Sequence, residues 1–284
     1  MLRQRVITTV VLLALLLPAL FYPASTLPFA LVTLVLMAAA AWEWGRLNGM
    51  GGAAAGLAGA VGAAALGAAW QVGGGAALPA QVWTLATLAW LVLLARVLHR
   101  GIEEWRGWPR PLRLGTGWLA LALAWWALVV LHGLGVAVLL NVLLLVWAAD
   151  IAAYFGGRAW GRRKLAARIS PGKSWEGALC GALAVLALAT AWIVLARTQG
   201  GWWREGLFAR LWDGGAAGAV AWLMLLTGLG VAGDLFESLV KRSAGVKDSS
   251  GLLPGHGGVL DRIDALLPVL PAALAALAWQ GGAR

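Results

Sequence analysis

Apolar runs, each long enough to form a membrane-spanning helix, alternate with short polar segments along the whole chain. A helix of about 20 largely apolar residues crosses the hydrocarbon core of a bilayer. The pattern therefore predicts an all-α polytopic integral membrane protein with about nine transmembrane helices. The predicted helices cover residues 6–22, 27–44, 53–71, 79–98, 116–132, 136–154, 177–196, 216–236 and 261–280.

The third predicted helix differs from the others because it consists almost entirely of Ala and Gly. Gly59, Ala63 and Gly67 follow one another at four-residue spacing. Small residues at this spacing allow helix backbones to approach closely. We therefore expect this helix to be buried among its neighbours.

The composition agrees with a membrane protein, since 61% of the 284 residues are hydrophobic and only 12% are charged. Soluble domains contain about 25% charged residues. In a soluble protein the net charge of +10 could indicate nucleic acid. In a membrane protein it is more typical of basic cytoplasmic loops that face anionic headgroups, or of a phosphate-rich substrate. We therefore expect membrane lipids as partners and no nucleic acid.

The distribution of basic residues predicts the orientation of the chain. With the N-terminus placed inside, most of the 22 Lys and Arg residues fall in inside segments, as expected for cytoplasmic loops. This supports a cytoplasmic N-terminus, an outside C-terminus and an odd number of spans. The exceptions, which fall outside, are Arg197, Arg204, Arg210 and Arg284.

We divide the chain by its expected roles. Residues 1–132 form N-terminal transmembrane helices, interpreted as a scaffold with a possible part in dimerisation. Residues 133–284 form the catalytic transmembrane region, which includes two long cytoplasmic loops at residues 155–176 and 237–260.

Most acidic residues lie at or beside the cytoplasmic ends of the last four predicted helices. Carboxylates at membrane depth are costly and mark function by default. Glu43, in contrast, lies near an inside helix end in the N-terminal half. The grouped acidic residues are Asp150, Glu176, Asp234, Glu237, Asp248, Asp261 and Asp264.

The spacing of these carboxylates is regular. In a helix, Asp234, Ser238 and Lys241 would share one stripe, and Asp261 and Asp264 are three residues apart. Several helix ends thus bring oxygen ligands to one membrane face, which suits a hard divalent cation such as Mg²⁺. The alternative is that each carboxylate only pairs with a nearby Lys or Arg at the interface.

The loop that precedes the last predicted helix combines cations with glycines. Lys241, Arg242 and Lys247 supply positive charge for a polyphosphate. The glycines permit positive φ and close backbone approach, and Gly257 and Gly258 before a helix start can direct N–H groups at an anion.

This stretch resembles the signature of the phosphatidate cytidylyltransferase family. The pattern S-x-x-K-R, then K-D, then P-x-H-G-G-x-x-D-R-x-D is matched at every fixed position from Ser238 to Asp264. A second region, residues 147–177, resembles the family's other characteristic segment. There, members commonly have Lys-Thr where this chain has Lys173-Ser174, and the hydroxyl is kept.

The resemblance implies transfer of CMP from CTP to phosphatidic acid, with CDP-diacylglycerol and pyrophosphate as products. It implies Mg²⁺ as cofactor, with a second metal ion left open, a homodimer and a bacterial inner membrane with the active site facing the cytoplasm. Asp234 and Asp261 are the leading metal ligands, and Asp150, Glu237 and Asp264 are additional candidates. The implied catalytic residues are Asp234, Lys241, Asp248, His256, Asp261 and Asp264. The implied substrate-binding residues are Arg158, Arg162, Ser170, Lys173, Ser174, Glu176, Ser238, Arg242, Lys247, Gly257 and Gly258, of which Ser170, Lys173, Ser174 and Glu176 bind a substrate phosphate or order their loop.

Two other functions remain open from the residues. A CTP-dependent polyprenol or lipid kinase would move the γ-phosphate instead of the nucleotide, and the Ser238–Asp264 signature argues against it. An ion-coupled transporter would bind near the midplane, often between inverted repeats. Here the charges gather at one face, and no repeat is visible in the sequence.

Overall fold

The computed structural model describes the backbone of residues 2–73, 75 and 78–282, and the side chains from residue 4 to residue 280 within those ranges. Arg284, used in the predicted orientation, lies outside the described residues. The chain is almost entirely helical, with one small antiparallel sheet. The helices are α1 Leu2–Leu20, α2 Leu27–Leu47, α3 Gly52–Val72, α4 Ala80–Arg100, α5 Ile102–Gly107, α6 Arg110–Gly133, α7 Val136–Trp160, α8 Trp175–Gln199, α9 Leu207–Asp213, α10 Ala216–Ser243, α11 Leu260–Ile263 and α12 Leu266–Gly282. A 3₁₀ helix covers Gly201–Glu205, and the strands are β1 Lys164–Ala166 and β2 Ser170–Ser174.

Within the part of the chain that the structure describes, eight helical segments are long and apolar enough to cross a membrane, and the shorter apolar helix Gln4–Leu20 precedes them. Each overlaps one of the predicted spans. The last span is interrupted, because α11 and α12 share the predicted segment 261–280. The prediction of an all-α polytopic membrane protein is confirmed, and the side on which each terminus lies stays a prediction.

The chain forms two compact units that interleave along the sequence. One unit contains α1 to α3 together with Arg100–Gly133 and Glu237–Asp264. The other contains Leu78–His99, Leu134–Phe236 and the chain from Ala265 onward. The loop before α11 therefore packs with N-terminal helices. The division of roles at residue 132 stays a prediction.

In the first unit, α2 packs against α3 and α6 through small residues. A Cβ atom on Gly59 would lie 2.8 Å from the carbonyl oxygen of Ala38, so α3 approaches α2 as closely as its small residues predicted. Burial is limited to one stripe of α3, at Ala55, Gly59 and Trp70. The expectation that α3 is buried among its neighbours is therefore wrong within a single chain, because α3 meets α2 along this one face only.

In the second unit, α7 and α8 pack closely and the small sheet joins them. A Cβ atom on Gly181 would lie 2.8 Å from the carbonyl oxygen of Ala149, and one on Gly177 would lie 2.7 Å from that of Ala153. The strands β1 and β2 pair in an antiparallel hairpin between the two helices. This packing places the C-terminal end of α7 beside the N-terminal end of α8.

Both predicted loops are shorter than expected because the helices that precede them continue. The α7 helix runs to Trp160, and α10 runs to Ser243. Residues 237–243 therefore form the last turns of α10, as the spacing of Ser238 and Lys241 suggested.

Candidate active site

Lys241, near the end of α10, is the centre of an acidic cluster in the first unit. Its Nζ atom lies 2.5 Å from Oε2 of Glu237, one helical turn earlier, and 2.6 Å from Oδ1 of Asp261 in α11. The side chains of Glu237 and Asp261 are only 1% and 6% exposed. A single cation thus contacts two carboxylates that are almost fully removed from solvent.

The other oxygen of Asp261 binds the loop that precedes α11. Asp261 Oδ2 accepts hydrogen bonds from the backbone N–H of Ser249 at 3.0 Å, the Ser249 hydroxyl at 2.8 Å and the backbone N–H of Gly258 at 2.7 Å. Hydrogen bonds to a charged acceptor are stronger than those between neutral groups. Asp261 therefore links α10, the loop and α11.

Gly257 and Gly258 are required by this close packing. Gly257 has φ of +83°, and a Cβ atom there would lie 2.7 Å from Oδ2 of Asp261. A Cβ atom on Gly258 would overlap the Ser249 hydroxyl and the carboxylate of Glu43. The anion that meets the Gly258 N–H is the side chain of Asp261 itself, and the predicted substrate-binding role of these glycines stays a prediction.

Glu43, at the end of α2, contacts the same loop, and the sequence analysis gave it no role. Its side chain is fully buried. Oε1 accepts hydrogen bonds from the Ser250 hydroxyl at 2.5 Å and the Val259 N–H at 3.0 Å, and Oε2 from the Leu260 N–H at 2.7 Å. The signal that could have identified it is a lone carboxylate within an apolar helix.

The acidic cluster has an excess of negative charge. Asp264 lies near enough to interact electrostatically with Glu237, so the carboxylates of Glu237, Asp261 and Asp264 belong to the same cluster as the ammonium of Lys241. Oε1 of Glu237 is buried and has no hydrogen-bond partner within the described residues. Carboxylate oxygens with a net negative charge are the donor set that Mg²⁺ takes. Among the described residues, however, no group of three or more His, Cys, Asp or Glu side chains is already arranged to hold a metal.

The second unit contains a similar arrangement around Lys173. Its Nζ atom, on β2, lies 2.5 Å from Oδ2 of Asp234 on α10, and the two side chains are 25% and 29% exposed. Asp150 on α7 is near enough to interact electrostatically with both residues. Here too one lysine is placed among carboxylates, and this lysine is more accessible than Lys241.

Glu176 and Ser174 order the hairpin between α7 and α8. The carboxylate of Glu176 accepts hydrogen bonds from the backbone N–H groups of Arg162 at 3.1 Å and Arg163 at 3.2 Å. The Ser174 hydroxyl accepts one from the Gly177 N–H at 3.1 Å and caps α8. These contacts fit the loop-ordering alternative, and Ser170 contributes to it as a residue of β2 paired with Ala166.

The remaining predicted residues lie on α7, in the hairpin, on α10 and in the loop after α10. Arg158 and Arg162 are exposed beside the hairpin, and Lys247 and Asp248 are exposed in the loop after α10. Arg242 donates to the carbonyl oxygen of Val246 at 3.1 Å and closes that turn. Their predicted substrate contacts stay predictions, as does that of Ser238, a half-buried residue on α10.

His256 lies in the same loop and is fixed mainly through its backbone. Its carbonyl oxygen accepts hydrogen bonds from Nε and Nη2 of Arg262 at 3.0 and 2.6 Å. Its Nε2 atom lies 3.5 Å from the hydroxyl of Thr9 on α1. The predicted catalytic role of its imidazole stays a prediction.

Comparison with known proteins identifies the family of this chain. Residues 3–279 match the sequence profile described as the Cytidylyltransferase family. A phosphatidate cytidylyltransferase of Pseudomonas aeruginosa is 44% identical over 99% of this chain and 98% of its own. Proteins of the same description are 38% identical over 76% of this chain and 72% of their own in Brucella suis, and 47% identical over 48% of this chain and 44% of their own in Haemophilus influenzae. Because the family profile matches nearly the whole length of this chain, the chain belongs to the cytidylyltransferase family.

Proposed function

We propose that this protein transfers CMP from CTP to phosphatidic acid, giving CDP-diacylglycerol and pyrophosphate. The observation that carries the proposal is that Lys241 binds Asp261 within the signature segment and Glu237 immediately before it. The description of the relatives as phosphatidate cytidylyltransferases supports the same substrates.

The chemistry requires two polyanions to meet. An oxygen of the phosphatidate phosphate attacks the α-phosphorus of CTP, the bond to the β-phosphate oxygen breaks, and pyrophosphate leaves. A phosphate monoester is already ionised near neutral pH, so no strong base is needed. Positioning and charge neutralisation therefore carry most of the reduction in the barrier.

The lysines supply fixed positive charge for the phosphates. Each ammonium has three N–H donors, so it can contact a carboxylate and a phosphate oxygen at the same time. Lys241 is held by Glu237 and Asp261, and Lys173 is held by Asp234. Because their positions are set before substrate arrives, little reorganisation is needed during the reaction. The positive charge is extended by the exposed side chains of Arg158, Arg162 and Lys247 and by the partly exposed side chain of Arg242.

The carboxylates are the proposed ligands of Mg²⁺. In the first unit these are Asp261, Glu237 and Asp264, and the unpartnered Oε1 of Glu237 is the atom that most needs a cation. In the second unit the proposal extends to Asp234 and Asp150. When bound, Mg²⁺ would neutralise phosphate charge and polarise the phosphoryl oxygens.

We place the enzyme in a bacterial inner membrane, with its active site facing the cytoplasm. Bacterial relatives and the eight apolar helices support this location. CTP is a cytoplasmic nucleotide, so a reaction at that face gives it direct access. We further propose a homodimer, and the exposed Ala and Gly residues of α3 outside its contact with α2 are compatible with helix pairing.

Transfer of label from CTP into a chloroform-soluble product tests the function. Purified protein with phosphatidic acid and Mg²⁺ should move α-³²P into the lipid phase, and Asp261→Asn should abolish the transfer. Asp213→Asn is the matched control, since Asp213 is exposed at the end of α9. The absence of α-label in lipid from folded, unmodified protein would refute the proposal. Transfer of γ-label instead would identify a lipid kinase.

A further inference from the structure

We propose that Glu43 is a positioning residue for the reaction, which fixes the loop before α11 and thereby the place of Asp261. The inference rests on the proposed function, and it assigns a role to the N-terminal half of the chain. Glu43 is fully buried, so it acts through the loop and not by touching substrate.

The Glu43 carboxylate accepts hydrogen bonds from a side chain and from two backbone N–H groups. Both carboxylate oxygens accept from backbone N–H groups: Oε1 from Val259 at 3.0 Å and Oε2 from Leu260 at 2.7 Å. The Ser250 hydroxyl donates to Oε1 at 2.5 Å. These donors come from the middle of the loop and from its junction with α11, so one residue of α2 holds these two parts together.

Glu43 and Asp261 share Ser249. The Ser249 hydroxyl lies 2.8 Å from Oδ2 of Asp261 and 3.3 Å from Oε2 of Glu43. The hydroxyl has one hydrogen, and both carboxylate oxygens lie within hydrogen-bond distance of it. Leu260, which Glu43 binds through its N–H, directly precedes Asp261 in the chain. A shift in Glu43 would therefore shift both the backbone and a side-chain partner of Asp261.

A carboxylate is required at position 43 because its oxygens face different backbone donors. In Glu43→Gln, one oxygen becomes an NH₂ group, which can only donate. Whichever way the amide is turned, the N–H of Val259 or of Leu260 would face another donor. A buried N–H without an acceptor is costly, so the loop would move. Gly258 gives independent support, since any side chain there would overlap Glu43 and Ser249.

The test compares Glu43→Gln with Glu103→Gln, an exposed glutamate of the same unit whose side chain is 82% exposed. Hydrogen–deuterium exchange is measured on the purified proteins without metal or nucleotide. We expect faster exchange in Glu43→Gln over residues 249–264 and unchanged exchange over α6. We also expect kcat for α-label transfer to fall by about tenfold or more, the effect of losing a buried hydrogen bond to a charged group. Glu103→Gln should match the unmodified protein in both measurements.

The outcomes separate positioning from general stability. Unchanged exchange over residues 249–264, or kcat within about twofold of the control, would overturn the proposal. Faster exchange throughout the unit would also overturn it, because Glu43 would then only stabilise the fold.

Ser250→Ala provides a milder variant if Glu43→Gln fails to accumulate. It removes one donor to Glu43 and leaves both backbone contacts, so exchange should rise over the same residues by a smaller factor. No change in Ser250→Ala would overturn the proposal. If the unmodified protein transfers no α-label, the proposed function fails by itself, while the exchange data still decide whether Glu43 holds the loop.

Discussion

At the residue scale, Lys241 and Lys173 each bind carboxylates of the fold and also supply positive charge for the proposed reaction. Lys241 binds both Glu237 and Asp261, which are nearly inaccessible to solvent. A buried carboxylate that loses its cation retains the cost of its desolvation. Lys173 is more exposed, so solvent screens its pairing with Asp234. The two lysines should therefore respond differently to substitution.

We predict that Lys241→Met destabilises the protein and abolishes CMP transfer. Removing one member of a buried ion pair costs about 3–5 kcal/mol, because the remaining charges are left unpaired. Thermal unfolding in detergent should show a lower Tm than that of Lys173→Met. Adding Glu237→Gln to Lys241→Met should restore part of the Tm without restoring activity. A Tm equal to that of the unmodified protein would contradict the buried pairing.

Gly258 leads to a second residue-scale prediction. Gly258→Ala places a methyl group on the Ser249 hydroxyl and the Glu43 carboxylate, so the loop must shift. We expect a loss of about 1–3 kcal/mol in the free energy of unfolding, together with reduced CMP transfer. Gly251→Ala is the control in the same loop, since a Cβ atom there meets nothing within 4 Å. Equal behaviour of the two variants in unfolding and label-transfer assays would refute this packing.

At the element scale, close contact of α7 with α8 supports the hairpin that carries Lys173. Gly177 and Gly181 lie against the carbonyl oxygens of Ala153 and Ala149 on α7. Glu176 then binds the backbone of residues 162 and 163 as they leave α7. The position of Lys173 thus depends on the close packing of α7 against α8.

We predict that Gly181→Ala weakens this helix pair. The new Cβ atom would lie 2.8 Å from a backbone oxygen, which cannot rotate away. The resulting strain of about 1–3 kcal/mol exceeds the roughly 1 kcal/mol that Ala gains over Gly in a helix. Gly228→Ala on α10 meets nothing within 4 Å, so it should keep or raise the Tm. The measurement is thermal unfolding of both variants. A Tm of Gly181→Ala above that of the unmodified protein would contradict the α7–α8 contact.

At the scale of the whole molecule, the spans were predictable and the tertiary contacts were not. Each long helix is an apolar run, so its existence follows from hydropathy alone. The end of α7 was missed because the helix continues through Gly156 and Gly157, which have low helix propensity. The end of α10 was missed because that helix continues into polar residues, where Glu237 and Lys241 pair within one turn. Glu43 was missed because its partners lie more than two hundred positions away in the sequence. Spacing within one segment carries no information about such contacts.

The orientation of the chain gives the last prediction. If basic segments lie inside, the hairpin between α7 and α8 faces the cytoplasm and the 3₁₀ helix before α9 faces outward. Single cysteines can be placed by Arg168→Cys and Trp202→Cys in a protein that also carries Cys180→Ala, which removes the one native cysteine. An impermeant maleimide should label position 202 in intact spheroplasts and position 168 only after permeabilisation. The reverse pattern would place the basic hairpin outside, away from cytoplasmic CTP, and would exclude the proposed reaction at that face.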